Sequence, residues 1–175
     1  PTPLLKFRAC RDARKVTGDA MEVRGGCGYI EEFSDARLVR DAHLGSIWEG
    51  TSNIVALDVI RSIRKEDTLA ALERHMARQL QEAALPEALQ ACFDDARQRV
   101  LALAAATTAR QNEHLSRQAA SALYHLFSAT TMAWEARRAE QAGAGRRLLL
   151  AQLVLRHRVL PRDPLAAGSE EHRWL

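Results

Sequence analysis

Leu115–Ala142 reads LSRQAASALYHLFSATTMAWEARRAEQA. Its apolar positions Leu115, Ala119, Ala122, Leu126, Ala129, Ala133 and Ala136 recur at steps of three and four, the period of one helix face. The spacing predicts a helix from about Glu113 to Ala142, broken by Gly143 and Gly145. The same period recurs along most of the chain. Thr2 to Arg24 is a predicted helix opened by Thr2-Pro3 and stopped at Gly25-Gly26. Cys27 to Phe33 reads as a turn. A short helix follows, capped by Ser34 or Asp35 and running through Ala42, with Ala36, Leu38, Val39 and Ala42 inward. Thr51 to Arg64 is helical, with Ile54, Leu57, Val59 and Ile60 inward. Asp67 caps a helix to about Ala84, Pro86 opens one to about Arg110, and Gly145 to Leu160 is the last, ended by Pro161 and Pro164. The tail from Ala166 to Leu175 is expected to fray, with Trp174 available to dock. There is no strand pattern. The expected fold is all-α, a helical bundle. The charge-rich run Arg64-Lys65-Glu66-Asp67 marks a boundary, giving residues 1–64 and 65–175 as two regions.

Composition agrees. Of 175 residues, 47% are hydrophobic and only 5% aromatic, so the core is built from Leu, Ala, Val and Ile. A net charge of +3 does not by itself imply nucleic acid. Cys10, Cys27 and Cys92 are far apart and fit neither a disulfide framework nor a metal site; they are expected to be buried, reduced thiols of a cytoplasmic protein. No apolar run is long enough to span a membrane, the longest being Leu148 to Leu155, interrupted by Gln152. The chain opens without an initiator methionine, and is read as a processed or truncated piece of something longer.

One segment carries chemistry. In Ser46-Ile47-Trp48-Glu49-Gly50-Thr51-Ser52-Asn53, a carboxylate stands between an aromatic and a glycine just ahead of a helix start. Trp48 is placed to exclude water, Gly50 to permit a turn, and Thr51, Ser52 or Asn53 to cap the helix. A carboxylate beside apolar surface becomes a stronger base. Taken alone, the residues read better as a surface Glu near a helix N-terminus, where the dipole favours negative charge. Gly25-Gly26-Cys27-Gly28-Tyr29 is a glycine-rich stop that fits either close approach of a ligand or a simple helix cap. Arg37 and Arg40 flank the next helix.

In order, Met21-Glu22-Val23-Arg24-Gly25-Gly26-Cys27-Gly28-Tyr29, then Arg37-Leu38-Val39-Arg40-Asp41-Ala42, then Ile47-Trp48-Glu49-Gly50-Thr51-Ser52-Asn53-Ile54 resemble the C-terminal helical domain of acyl-CoA dehydrogenases. The resemblance covers about residues 2 to 64. It implies that Glu49 is the base that takes the α-proton of an acyl-CoA thioester, while the β-hydrogen passes as hydride to FAD. The backbone N–H of Glu49 would help hold the thioester oxygen. It also implies that Glu22, Val23, Arg24, Gly25 and Gly26 meet the adenosine end of an FAD bound mainly by a neighbouring subunit. The family often carries Gln where Glu22 stands, and an acid loses that donor. Thr51, Ser52 and Asn53 would meet the flavin nucleotide, Asn53 being one methylene shorter than the common Gln. Gly50 and Arg61 would meet the substrate, and Arg61 reads equally as an exposed helix charge. A homo-oligomer, dimer or tetramer, and an electron-transfer flavoprotein partner are the implied associations; no metal is implied.

Trp48 and the helical region after Arg64 look like the branch that contains the bacterial alkylation-response flavoprotein. That gives an alternative, a DNA-associated flavoprotein with little dehydrogenase activity. Its candidate surface is the last helix, with Arg146, Arg147, Arg156, Arg158 and Arg162. Solvated Arg stems packed along a helix account for the same residues. A third reading is a helical interaction module that retains the motif as structure. The family's N-terminal helical and middle β domains have no counterpart in these residues, so the chain alone is expected to lack dehydrogenase activity and to bind FAD weakly or not at all.

Overall fold

The computed structural model describes residues 2–139 and 141–161, with backbone alone for 141–144. The expectations for Arg162, Asp163, Pro164 and the tail with Trp174 lie outside the described residues. Among the described residues, eight α-helices follow in order: α1 (Thr2–Val23), α2 (Gly26–Tyr29), α3 (Asp35–Leu44), α4 (Ser52–Glu66), α5 (Thr68–Ala83), α6 (Glu87–Ala106), α7 (Ser116–Arg138) and α8 (Gln141–Val154). A 3-10 segment, Arg110–Leu115, leads into α7, and a π-helical turn, Leu155–Val159, ends α8. Among the described residues there is no strand. The fold is all-α.

α7 is the axis. It packs against α1, α4, α5, α6 and α8. The reason lies in its sequence: Ala119, Ala120, Ala129 and Ala133 are fully or almost fully buried, so neighbouring helices approach closely on several sides. Leu123 and Leu126 fill the spaces between them. One continuous cluster of buried side chains joins Phe7 of α1 and Val59 of α4 to Met76 of α5, Phe93 of α6 and Leu155 of the π turn. The connection between α4 and α5 falls at Asp67, in the charged run, but the packing continues across it.

Several local expectations are corrected. The break between α7 and α8 is at Ala139, whose backbone turns extended (φ −70°, ψ 146°), and Gly143 and Gly145 lie within α8. Asp67 does not cap α5 with its side chain; it takes a left-handed conformation (φ 49°). α6 ends at Ala106 rather than Arg110. In α4 the buried positions are Val55, Ala56, Val59 and Ile60, while Ile54 is exposed and Leu57 half-buried. In α3 only Ala36 is buried, and Leu38 faces out. Cys27 and Cys92 are exposed and Cys10 half-buried, so the thiols are free but not buried.

Candidate functional site

α1 and α4 lie side by side, and the Glu49 turn is set on their packed faces. α3 ends in a helical turn in which the Trp48 N–H donates to the Leu44 carbonyl (3.1 Å). The buried Ser46 hydroxyl donates to His43 O at 3.3 Å and ties this turn down. The chain then reverses through two residues with positive φ, Glu49 (55°) and Gly50 (112°). A non-glycine residue there costs on the order of 1–3 kcal/mol. Gly50 is required on two counts. Its φ is one that L side chains rarely adopt, and a Cβ would meet Ile54 Cγ2 at 3.0 Å.

Thr51 follows at the N-cap position of α4 with extended backbone (φ −69°, ψ 169°). Its hydroxyl does not cap the helix, nor does any side chain, which corrects the capping expectation for Thr51, Ser52 and Asn53. Val55 N–H donates to Thr51 O at 3.0 Å, and the first N–H groups of α4 are left open, as at any uncapped helix start. Among the described residues, the N–H groups of Glu49 and Gly50 also donate to no protein acceptor.

The Glu49 carboxylate is 62% exposed, and Trp48 is 58% exposed. Trp48 therefore does not exclude water from Glu49 in this chain, contrary to the reading of the segment. What holds the carboxylate is Lys6, a residue that sequence reading passed over. Its Nζ donates to Glu49 Oε2 at 3.0 Å and to Trp48 O at 3.4 Å, and lies 5.5 Å from the Trp48 ring centre. The pair is 43 residues apart, so no local signal announces it; only the packing of α1 along α4 creates it. An ion pair this exposed contributes only ~0–1 kcal/mol and yields readily to a ligand. The cleft beneath the turn, lined by Lys6, Cys10, Ser46 and Gly50 among others, is about 10 Å³, too small to receive a ligand.

Glu22, Val23, Arg24, Gly25 and Gly26 form an exposed corner at the far end of α1. Gly25 has φ 61°, and a Cβ on Gly25 or Gly26 would meet nothing within 4 Å, so their backbone is open to approach. Gly28 is different: a Cβ there would strike the Met21 carbonyl, so α2 packs tightly on α1. Arg24 pairs with Asp35 (3.1 Å) and covers Phe33. Arg40 forks onto Glu31 at 2.7 and 3.1 Å, and this hydrogen bonding holds the Glu31 carboxyl below its ordinary range. Arg37 reaches Asp41 at 3.9 Å. Arg61 is exposed and paired with Asp58 one turn away. Sixteen residues of α1 separate Lys6 from Glu22, roughly 24 Å at 1.5 Å per residue. The Glu49 turn and the Gly25 corner are thus brought onto one helix but not into one pocket.

Every large apolar side chain that is exposed among the described residues lies at or before Ile54. Ile47, Trp48 and Ile54 adjoin Glu49.

Residues 1–64 match the family described as Acyl-CoA dehydrogenase, C-terminal domain. That segment is similar in sequence to the C-terminal domain of acyl-CoA dehydrogenases. Among its relatives, AidB of Escherichia coli (strain K12) is 46% identical over 65 residues, 37% of this chain and 12% of that protein. Acyl-CoA dehydrogenase family member 11 of Caenorhabditis elegans is 40% identical over 76 residues, 43% of this chain and 12% of that protein. Cyclohexane-1-carbonyl-CoA dehydrogenase of Geobacter metallireducens is 41% identical over 61 residues, 35% of this chain and 16% of that protein. The chain thus covers about an eighth of the length of the first two relatives. No solved structure matches it significantly. No described helix is long and apolar enough to cross a membrane.

Proposed function

We propose that residues 1–64 contribute the base and one wall of the reaction site of an FAD-dependent acyl-CoA dehydrogenase. The observation that carries this reading is the Glu49 turn. It presents an exposed carboxylate and its own unpartnered N–H from a strained, left-handed backbone fixed between α3 and α4. The two groups suit one task. The carboxylate receives the α-proton, and the Glu49 N–H donates to the thioester oxygen as negative charge builds on it. Proton removal beside a thioester needs both, because the carbanion is stable only as the enolate. Gly50 leaves room for the thioester to approach. A second surface laid over Trp48 and Ile54 would remove water from the carboxylate and strengthen it as a base.

The donors present fit part of a flavin nucleotide. The open N–H groups at the start of α4, with the uncapped Thr51, Ser52 and Asn53 side chains, suit its polar groups. The bare Gly25-Gly26 backbone suits a flat ring at the other end of α1. FAD, when bound, supplies the hydride acceptor. The separation of the two corners supports their meeting the nucleotides of two subunits, which makes a homo-oligomer part of the proposal. In the full-length protein, Glu49→Gln should abolish acyl-CoA-dependent bleaching of the flavin while leaving flavin content unchanged. Bleaching at the native rate in Glu49→Gln would overturn the assignment.

The alternative, a DNA-associated flavoprotein with little dehydrogenase activity, draws on Arg146, Arg156 and Arg158, all exposed near the end of the described chain. Arg147 is turned to Glu135 at 3.5 Å. Duplex binding at physiological salt that is lost in Arg156→Ala/Arg158→Ala would favour it.

A further inference from the structure

α1 carries Arg8, Arg11 and Arg14 at steps of three, on the side where it packs against α7. Arg8 lies over the Tyr124 ring of α7 at 5.9 Å, which fixes that register. Arg117, at the N-terminal end of α7, is within electrostatic reach of Arg11, as are Arg8 and Arg14. Among the described residues, Asp12 is the one acidic group that acts on Arg11, and Arg8 holds it with both its Nε and a terminal nitrogen. Arg11 is therefore surrounded by three further guanidiniums and one carboxylate, and Arg8 already engages that carboxylate.

Packing of Arg stems explains part of this. Arg8 covers Tyr124, and Arg11 covers the Phe7 ring at 5.4 Å. It does not explain the donors. The Nε–H groups of Arg11 and Arg14 are both buried and have no acceptor. A buried donor without a partner costs free energy, and two of them inside a cluster of like charge is an arrangement that an anion would relieve. Burial and the neighbouring arginines push the Arg11 pKa below its ordinary value, as expected for a cluster without its counter-charge.

We propose that the seam between α1 and the start of α7 is a phosphate-binding site, with Arg11, Arg14 and Arg117 as donors and Arg8 occupied in holding Asp12. Planar guanidinium forks suit a compact, multiply charged oxyanion, a phosphate or pyrophosphate group. The site does not use Glu49 or any residue of the proposed reaction site. It joins the family segment to the helices that follow it.

Titration calorimetry of the folded chain with inorganic pyrophosphate at low salt tests this. The chain should show one saturable site that weakens as salt rises. Arg117→Gln, and Arg11→Gln/Arg14→Gln, should each weaken binding about tenfold or more, as loss of charged hydrogen bonds does. Arg99→Gln, on α6 and paired with Asp95, should leave it unchanged. Arg117 is exposed, so its variant reads the site even where exchange of half-buried Arg11 disturbs packing. A short DNA duplex that competes with pyrophosphate would identify the phosphate as that of a nucleic-acid backbone; failure to compete would identify a free phosphate ligand. Absence of saturable binding by the wild type, or unchanged binding in Arg117→Gln, would overturn the site.

Discussion

Phe7→Ala tests whether the family segment and the helices beyond residue 64 fold as one unit. Phe7 is 2% exposed on α1, in the same buried cluster as Met76, Phe93, Leu123 and Leu126. Truncating a buried Phe to Ala costs about 3–5 kcal/mol, the transfer loss plus the cavity left behind. For a urea slope of about 2 kcal/mol per molar, a loss of about 4 kcal/mol moves the unfolding midpoint by about 2 M. The reporter should stand far from the mutation. Trp134 of α7 serves: its Nε1 donates to Glu82 of α5 at 2.7 Å, and Arg138 stacks on its ring at 3.9 Å. With Trp48→Phe and Trp174→Phe in the background, Trp134 is the sole tryptophan. Its fluorescence transition and the far-ultraviolet circular dichroism transition should coincide and shift together. If the Trp134 midpoint stays in place while part of the helical signal melts earlier, the shared core does not couple the two regions and the reasoning fails.

Other outcomes follow from particular contacts. Gly50→Ala should destabilise by on the order of 1–3 kcal/mol, because φ 112° strains any side chain and the new Cβ meets Ile54; a native melting temperature would refute the turn geometry. His125 is pushed down to about 4, by desolvation first and then by Arg8 and Arg158. The unfolded chain therefore binds this proton at higher pH than the fold does, and stability is lost as pH falls from about 6.5 towards 4. Discounted for its partial exposure, the loss is on the order of 1–2 kcal/mol, and His125→Gln should flatten the slope over that window. Glu82 is held below its ordinary value by the Trp134 hydrogen bond and then by Arg138. Its contribution is present at neutral pH and lost as pH falls through the folded value, so Glu82→Gln should remove acid sensitivity there and shift Trp134 emission. The purified chain should show no flavin absorbance; bound flavin would refute the expectation that it holds only part of the site.

The helices were legible because their periodicity is strong, and α1 ends where Gly25 supplies a left-handed residue. The α7–α8 break was misplaced for a physical reason. A glycine inside a helix costs about 1 kcal/mol relative to Ala, and packing overrides it. α8 is held by Ala151, and the π turn after it by Leu155, both buried in the common core, so Gly143 and Gly145 do not end it. Ala139 carries no composition signal for an extended backbone. On α4, Val59 and Ile60 are buried as expected, whereas Ile54 and Leu57 are apolar on the side away from Val55 and Val59, and periodicity alone does not rank two apolar faces. Glu49 stood out through its linked motifs, whereas the Lys6–Glu49 pair and the electrostatic effect of Arg117 on Arg11 depend on helices meeting far apart in sequence.

The two apolar faces of α4 bear on what the fold is for. A surface helix of a self-sufficient bundle shows one apolar stripe and a polar back. α4 buries Val55, Val59 and Ile60 against its neighbours and still offers Ile54 to solvent, as α1 buries Leu4 and Phe7 and offers Leu5 and Val16. The helices from α5 onward expose no large apolar side chain among the described residues. They bury their apolar stripes against one another and against the inner faces of α1 and α4. The asymmetry assigns different work to the two regions. α5 to α8 form a buttress that fixes α1 and α4 from behind. The front of α1, α3 and α4, with the strained Glu49 turn at its edge, leaves large apolar side chains exposed. The Glu49 carboxylate on that edge is wet in this chain; in the reaction site proposed above it would become dry only when the face is occupied, which would couple its strength as a base to assembly of the surface around it.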